Sequence, residues 1–149
     1  MLQIKLSVRF FFGDLSNTEE LVQIVFCVWI ERKIRMDKQH KDIPWVPHAE
    51  IEPEVCGKGV KRRVLAYNKD AMCVENTFET GGVGAMHCHP HTQITYIVSG
   101  RYRFTIGDET REVGPGDTLL KQNGVMHGCV CLEGGMMLDF FTPMREDFV

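Results

Sequence analysis

The sequence has no Cys-x-x-Cys pair, no secretory signal, no broad excess of basic charge and no internal repeat or low-complexity tract, and each absence excludes a class of protein. Without cysteine pairs or a signal, the six cysteines at positions 27, 56, 73, 88, 129 and 131 are expected to be reduced thiols in a cytoplasmic protein. A formal charge of −3 and a pI near 6.1 supply no field for nucleic acid, and no helix pair suited to reading DNA is evident. The apolar run from Leu21 to Ile30 is shorter than the about 20 residues a bilayer requires. Gly81-Gly82-Val83-Gly84 is followed by neither a helix nor a suitably placed lysine, which rejects a nucleotide-phosphate loop. Small molecules are then the expected ligand class. What is present, 44% hydrophobic and 25% charged residues over 149 positions, fits one globular domain with its own core.

The chain divides into two unlike parts, an extension over residues 1–35 and a domain over 36–149. In the extension, Ile4, Leu6, Val8, Phe10 and Phe12 alternate with Lys5, Ser7 and Arg9, which predicts a strand. Ser16-Asn17-Thr18-Glu19 reads as a capping box opening a helix to about Arg35. Its apolar surface requires a cover, from the domain or from a second subunit; alternatively, the native chain starts at Met36. From about residue 48 the pattern changes to short β-type runs: 60–67, 72–79, 84–89, 93–98, 101–107, 110–113, 117–122, 126–132 and 135–141. Turn residues separate them, including Ser99-Gly100, Gly107-Asp108, Asn123-Gly124 and Gly134-Gly135. Many short strands at such spacing predict an all-β sandwich or closed barrel.

The run HCHPHTQ, residues 87–93, concentrates metal-ligand chemistry. On an extended strand His87 and His89 emerge on one face while Cys88 points away, and Gln93 follows a turn at Pro90. Gly81, His87-x-His89, Gln93 and Gly100 have the spacing of the first cupin motif; Pro115-Gly116-Asp117 followed by His127 has that of the second. Over residues 48–149 the chain resembles the cupin superfamily. That resemblance implies a cupin-type double-stranded β-helix (jelly-roll) barrel, carrying here an N-terminal strand-helix extension, with a metal held inside by His87, His89, Gln93 and His127. Gln93 stands where glutamate is commoner, and Gln122 and Met126 replace frequent prolines.

The donor chemistry agrees independently. Three imidazoles and a carboxamide suit a divalent transition metal such as zinc, nickel, manganese or iron, and being uncharged they leave its double charge intact. His91 is expected beside this set or at the surface. Cys129 and Cys131 share the parity of His127 and are expected to fill the core, with a Cys129 thiolate ligand as the alternative. Tyr96, Phe104 and Ile106 read as barrel filling.

Asp139 interrupts the apolar run GMMLDFF, residues 135–141. Projecting inward, its carboxylate requires a partner or a raised pKa, the environment of a general acid or base. The tail DFFTPMREDF, together with the histidine run, resembles the pectin-degradation cupins, which convert 4,5-unsaturated uronates into linear keto acids. That resemblance implies Asp139, Phe141 and Arg145 as active-site residues. The expected function is a metal-dependent isomerase-type enzyme acting on a sugar acid. The alternatives are an iron-dependent dioxygenase and a non-catalytic cupin that binds a sugar or metabolite. The expected partners are the small-molecule substrate and, by analogy, a second copy in a homodimer, with neither nucleic acid nor membrane.

Overall fold

The computed structural model describes residues 40–149, so the strand and helix expected over 1–35 lie outside the described residues. Ten strands run through them: β1 (Glu54–Gly57), β2 (Val60–Tyr67), β3 (Met72–Phe78), β4 (Val83–His87), β5 (Thr92–Ile97), β6 (Arg101–Ile106), β7 (Glu109–Val113), β8 (Thr118–Lys121), β9 (His127–Glu133) and β10 (Gly135–Thr142). They form two antiparallel sheets, one ordered β1-β2-β3-β10-β5-β8 and the other β4-β9-β6-β7. From β3 onward the chain crosses repeatedly between the sheets, which is the jelly-roll architecture expected from the strand spacing.

Strand alternation decides what faces inward. On β5, Gln93, Thr95 and Ile97 are buried while Ile94 and Tyr96 are exposed; on β10, Met137, Asp139 and Phe141 are buried and Phe140 is exposed. Ladder register then brings the inward positions together. Asp139 lies between Val74 on β3 and Thr95 on β5, and Gln93 is opposite Lys121 on β8. Apolar residues cluster at two places. One cluster includes Phe78, Ile97, Tyr102, Leu119 and Met137; the other holds Tyr67, Met72, Val74 and Phe141. Each such side chain removed from water contributes roughly 1.5–3 kcal/mol.

The strands agree with the expected runs to within a few residues, with three differences. β1 has no buried position, so it carries no hydrophobic alternation to betray it. Tyr96 is not barrel filling: it is 41% exposed, because QITYIV is apolar at both parities and Gln93 and Thr95 take the inward one. Cys88, expected to pack on the opposite face, is exposed.

Gly100 joins β5 to β6 with φ 83°, a left-handed conformation that favours glycine. A Cβ there would lie 2.5 Å from the Glu133 carbonyl oxygen. Gly100→Ala is expected to destabilise the domain by about 1–3 kcal/mol, read as a lower denaturant midpoint at unchanged slope; an unchanged midpoint would contradict this account of the turn.

Candidate functional site

His87 closes β4, His89 lies in the link after it, and His127 opens β9. The sequence reading had β4 continuing through His89. It ends at His87 instead, with a register irregularity against β9 between Gly84 and His87, yet the rings still converge. Ring centroids are 4.4 Å apart for His87 and His127, 4.9 Å for His89 and His127, and 5.6 Å for His87 and His89. One ring nitrogen from each lies within 4.8 Å of the other two. His91 is outside this triad; its ring is 5.5 Å from that of His89.

Proton positions follow from the partners. His87 Nδ1 is 2.8 Å from the Ala85 carbonyl and His127 Nδ1 is 2.8 Å from the Val125 carbonyl. A carbonyl only accepts, so each Nδ1 carries the hydrogen and each neutral ring keeps its lone pair on Nε2. Nε2 of His127 is buried without a hydrogen-bond partner. Burial lowers the His127 pKa to about 4 and lowers that of His89 as well, so both stay neutral at pH 7. An unpartnered, unprotonated nitrogen beside two other imidazoles is costly to bury in an apolar interior and has the chemistry of a metal ligand.

Gln93 continues the set, with Oε1 3.0 Å from His89 Nε2 and Nε2 donating to Thr95 Oγ1 at 3.3 Å. The Thr95 hydroxyl donates to Asp139 Oδ1 and accepts from Lys121 Nζ, both at close range. With its one hydrogen committed to Asp139, Thr95 can only accept from residue 93, so the amide NH₂ must face Thr95 and the oxygen must face the histidines. The glutamine that departs from the commoner glutamate is therefore required by its neighbour: a carboxylate has no hydrogen to give Thr95.

Asp139, expected to project inward, does so. The partner its burial requires is supplied, among the described residues, by Thr95, by Asn76 Nδ2 at 2.8 Å and by Lys121 Nζ at 3.8 Å. Lys121 is 1% exposed, and burial lowers its pKa while Asp139 acts in the opposite direction. Breaking such a pair leaves an uncompensated buried charge. None of Lys121, Thr95 or Asn76 was singled out from sequence. An inward lysine in TLLK, residues 118–121, was the available signal, and it becomes informative only once β8 is known to lie beside β5.

Phe141 is buried, with its ring 5.6 Å from that of His89. Arg145 is also buried, and its Nε and Nη2 pair with Asp147 at 2.8 and 2.7 Å, holding the Asp147 carboxyl at a pKa of about 2. Its Nη1 has no partner. Cys129 and Cys131 are buried free thiols. Burial pushes the Cys129 thiol up to about 11, which favours core filling over a thiolate ligand. A cavity of about 290 Å³ touches His87, Gln93, His127, Asp139, Phe141 and Arg145. Six of the seven expected site residues thus line one space, together with Lys121; His89 lies outside that lining.

Linkage sets a pH dependence. The folded pKa of His127, about 4, lies below its usual 6.5, so the folded state binds fewer protons across that interval. This contribution to stability is complete above pH 6.5 and is lost as the pH falls toward 4. Metal-free protein is expected to show a falling unfolding temperature over that window, and His127→Gln a shallower fall; identical profiles would exclude His127 as the cause.

Residues 74–140 match the cupin domain family. The pectin degradation protein KdgF of Dickeya dadantii (strain 3937) is 37% identical over 98 residues, spanning 64% of this chain and 89% of that protein. Among solved structures, an RmlC-like cupin from Shewanella frigidimarina NCIMB 400 superposes with a TM-score of 0.70 at 34% identity, covering 72% of this chain and 97% of its own. KdgF from Halomonas sp. does so with a TM-score of 0.69 at 32% identity, covering 72% and 99%.

Proposed function

This chain belongs to the cupin family, and from that membership we propose that it is a metal-dependent isomerase-type enzyme that opens and ketonises a 4,5-unsaturated uronate. The likeness to two proteins named KdgF, one described as a pectin degradation protein, supports a sugar acid as substrate. The observation that supports the reading is the hydrogen-bonded string from His89 through Gln93 and Thr95 to Asp139, which links a charge-compensated acid to imidazole and carboxamide donors.

His87, His89, Gln93 and His127 would hold a divalent ion, whose chemistry when bound is Lewis-acid polarisation of a sugar oxygen. The protein's own residues account for the rest. Arg145 offers its unpartnered Nη1–H to the substrate carboxylate, a charge-assisted contact. Asp139 moves the proton that turns the enol double bond into a ketone, while Thr95, Asn76 and Lys121 keep its carboxylate oriented and its charge balanced. Phe141 walls the cavity and limits water at the reacting carbon.

His87→Ala is expected to lose the metal, measured by elemental analysis. Asp139→Asn is expected to keep it but to slow consumption of unsaturated galacturonate by about 100-fold or more, followed as loss of the ultraviolet absorbance of its double bond. A wild-type enzyme that leaves that absorbance unchanged would remove the isomerase reading in favour of a binding cupin, and oxygen uptake by iron-loaded protein would favour a dioxygenase.

No helix among the described residues is long and apolar enough to cross a membrane, and the proposed location is the cytoplasm. A homodimer is the proposed assembly. Phe140, Ile94 and Leu120 stand side by side on the outer face of β10, β5 and β8 at 44, 46 and 54% exposure, an apolar face of the kind that marks interfaces. Light scattering is expected to give twice the chain mass, and Phe140→Lys to halve it; a monomeric wild type would exclude the dimer.

A further inference from the structure

We propose that Arg62 is a specificity-determining residue of this cavity, a second guanidinium that acts with Arg145 to select ligands bearing a carboxylate over neutral sugars. The proposal rests on the sugar-acid reading above and extends it to a residue on another strand.

Arg62 sits on β2 between two apolar positions of the same parity: Val60 is buried in one core cluster and Val64 packs against the other. Alternation therefore turns Arg62 toward the interior, and it lines the cavity that also touches Asp139 and Arg145. A long cation at an inward position of a core strand needs a compensating partner. Its ion pair, Nη2 to Glu54 Oε2 at 2.7 Å, runs to a carboxylate whose side chain is 59% exposed, and such solvated pairs contribute only about 0–1 kcal/mol. That pair does not explain why the guanidinium faces inward.

The remaining contacts point to an anion. The Arg62 guanidinium carbon lies 3.7 Å from the centre of the Phe148 ring, and that of Arg145 lies 4.3 Å from the same ring. Two cations are thus held at close quarters on one aromatic residue, an arrangement opposed by their mutual repulsion. Each has part of its fork occupied, Arg62 by Glu54 and Arg145 by Asp147. Each also has a buried nitrogen without a partner, Nε of Arg62 and Nη1 of Arg145. A ligand carboxylate has two acceptor oxygens and one negative charge, and it would relieve the unpaired donors and the repulsion together. Lys121 does not compete for it, since its ammonium is engaged by Thr95 and Asp139. The Asp139 carboxylate disfavours a second anion at the other side of the cavity, so the ligand's acid group belongs at the arginines and its hydroxyls face Asp139.

Calorimetric titration of the metal-loaded protein with D-galacturonate and, separately, neutral D-galactose tests this. Arg62→Met, which keeps the apolar stem, is expected to weaken galacturonate binding about tenfold, the effect of losing one charge-assisted hydrogen bond, with galactose binding and metal content unchanged. In turnover, the KM for unsaturated galacturonate should rise by a similar factor while kcat falls less. Arg62→Lys, which keeps the charge but not the fork, is expected to lose most of the same discrimination, and it decides the matter if the methionine variant does not fold. Variants that bind galacturonate as the wild type does would overturn the proposal and reduce Arg62 to a packing partner of Phe148. Wild-type protein that fails to distinguish the two sugars would overturn both this proposal and the sugar-acid reading. Discrimination that depends on Arg62 in a protein unable to consume unsaturated uronate would uphold the proposal and remove only the isomerase reading.

Discussion

Two hydrogen bonds of the same kind underlie this site: the Nδ1–H of His87 and of His127 each meets the backbone carbonyl two residues earlier. Each bond fixes a tautomer and a ring orientation, so the lone pairs of the exposed His87 and the buried His127 converge without help from another side chain. The Ala85 carbonyl lies on β4 and the Val125 carbonyl just ahead of β9, and the two rings are brought together where His87 pairs with His127 in the β4–β9 ladder. If either ring turned over, an N–H would point into the triad and the rest of the polar string would have nothing to address.

That string is costly to bury and is tolerated because Gln93, Thr95 and Asp139 are each hydrogen-bonded; His89 keeps one unpartnered nitrogen, Nδ1. Thr95 is its hinge, giving one hydrogen to Asp139 and receiving from Gln93 and Lys121, which uses the full capacity of a hydroxyl. Charge is handled by the same economy. Burial keeps His89 and His127 neutral, Gln93 carries no charge, Asp139 is compensated by Lys121, and Arg145 by Asp147. The unpartnered nitrogens at the cavity are of two kinds: Nε2 of His127 offers a lone pair, whereas Nε of Arg62 and Nη1 of Arg145 are donors that call for an acceptor.

The fold was largely legible in the residue order. Strand alternation and turn glycines predicted nine of the strands because both are local properties, set within a few residues by side-chain parity and backbone conformation. β1 escaped because an exposed edge strand needs no apolar alternation. Tyr96 was misread because a strand apolar on both faces has no local signal for which side is inward. At the site, the histidine run and Asp139 drew notice from short-range spacing and from one acid in an apolar run, whereas Phe141 and Arg145 entered only through the resemblance to the pectin-degradation cupins.

Lys121, Thr95, Asn76 and Arg62 were not legible, and the reason is physical. Each is unremarkable on its own strand and acquires meaning from a neighbour that is distant in the chain: Asp139 lies 44 positions from Thr95 and 63 from Asn76. Residue order was enough to specify which side chains alternate and where the chain turns, since those depend on nearest neighbours. Which strand lies beside which, and hence whether a buried charge meets a partner or an empty cavity, depended on ladder register and sheet closure, which exist only in the folded chain.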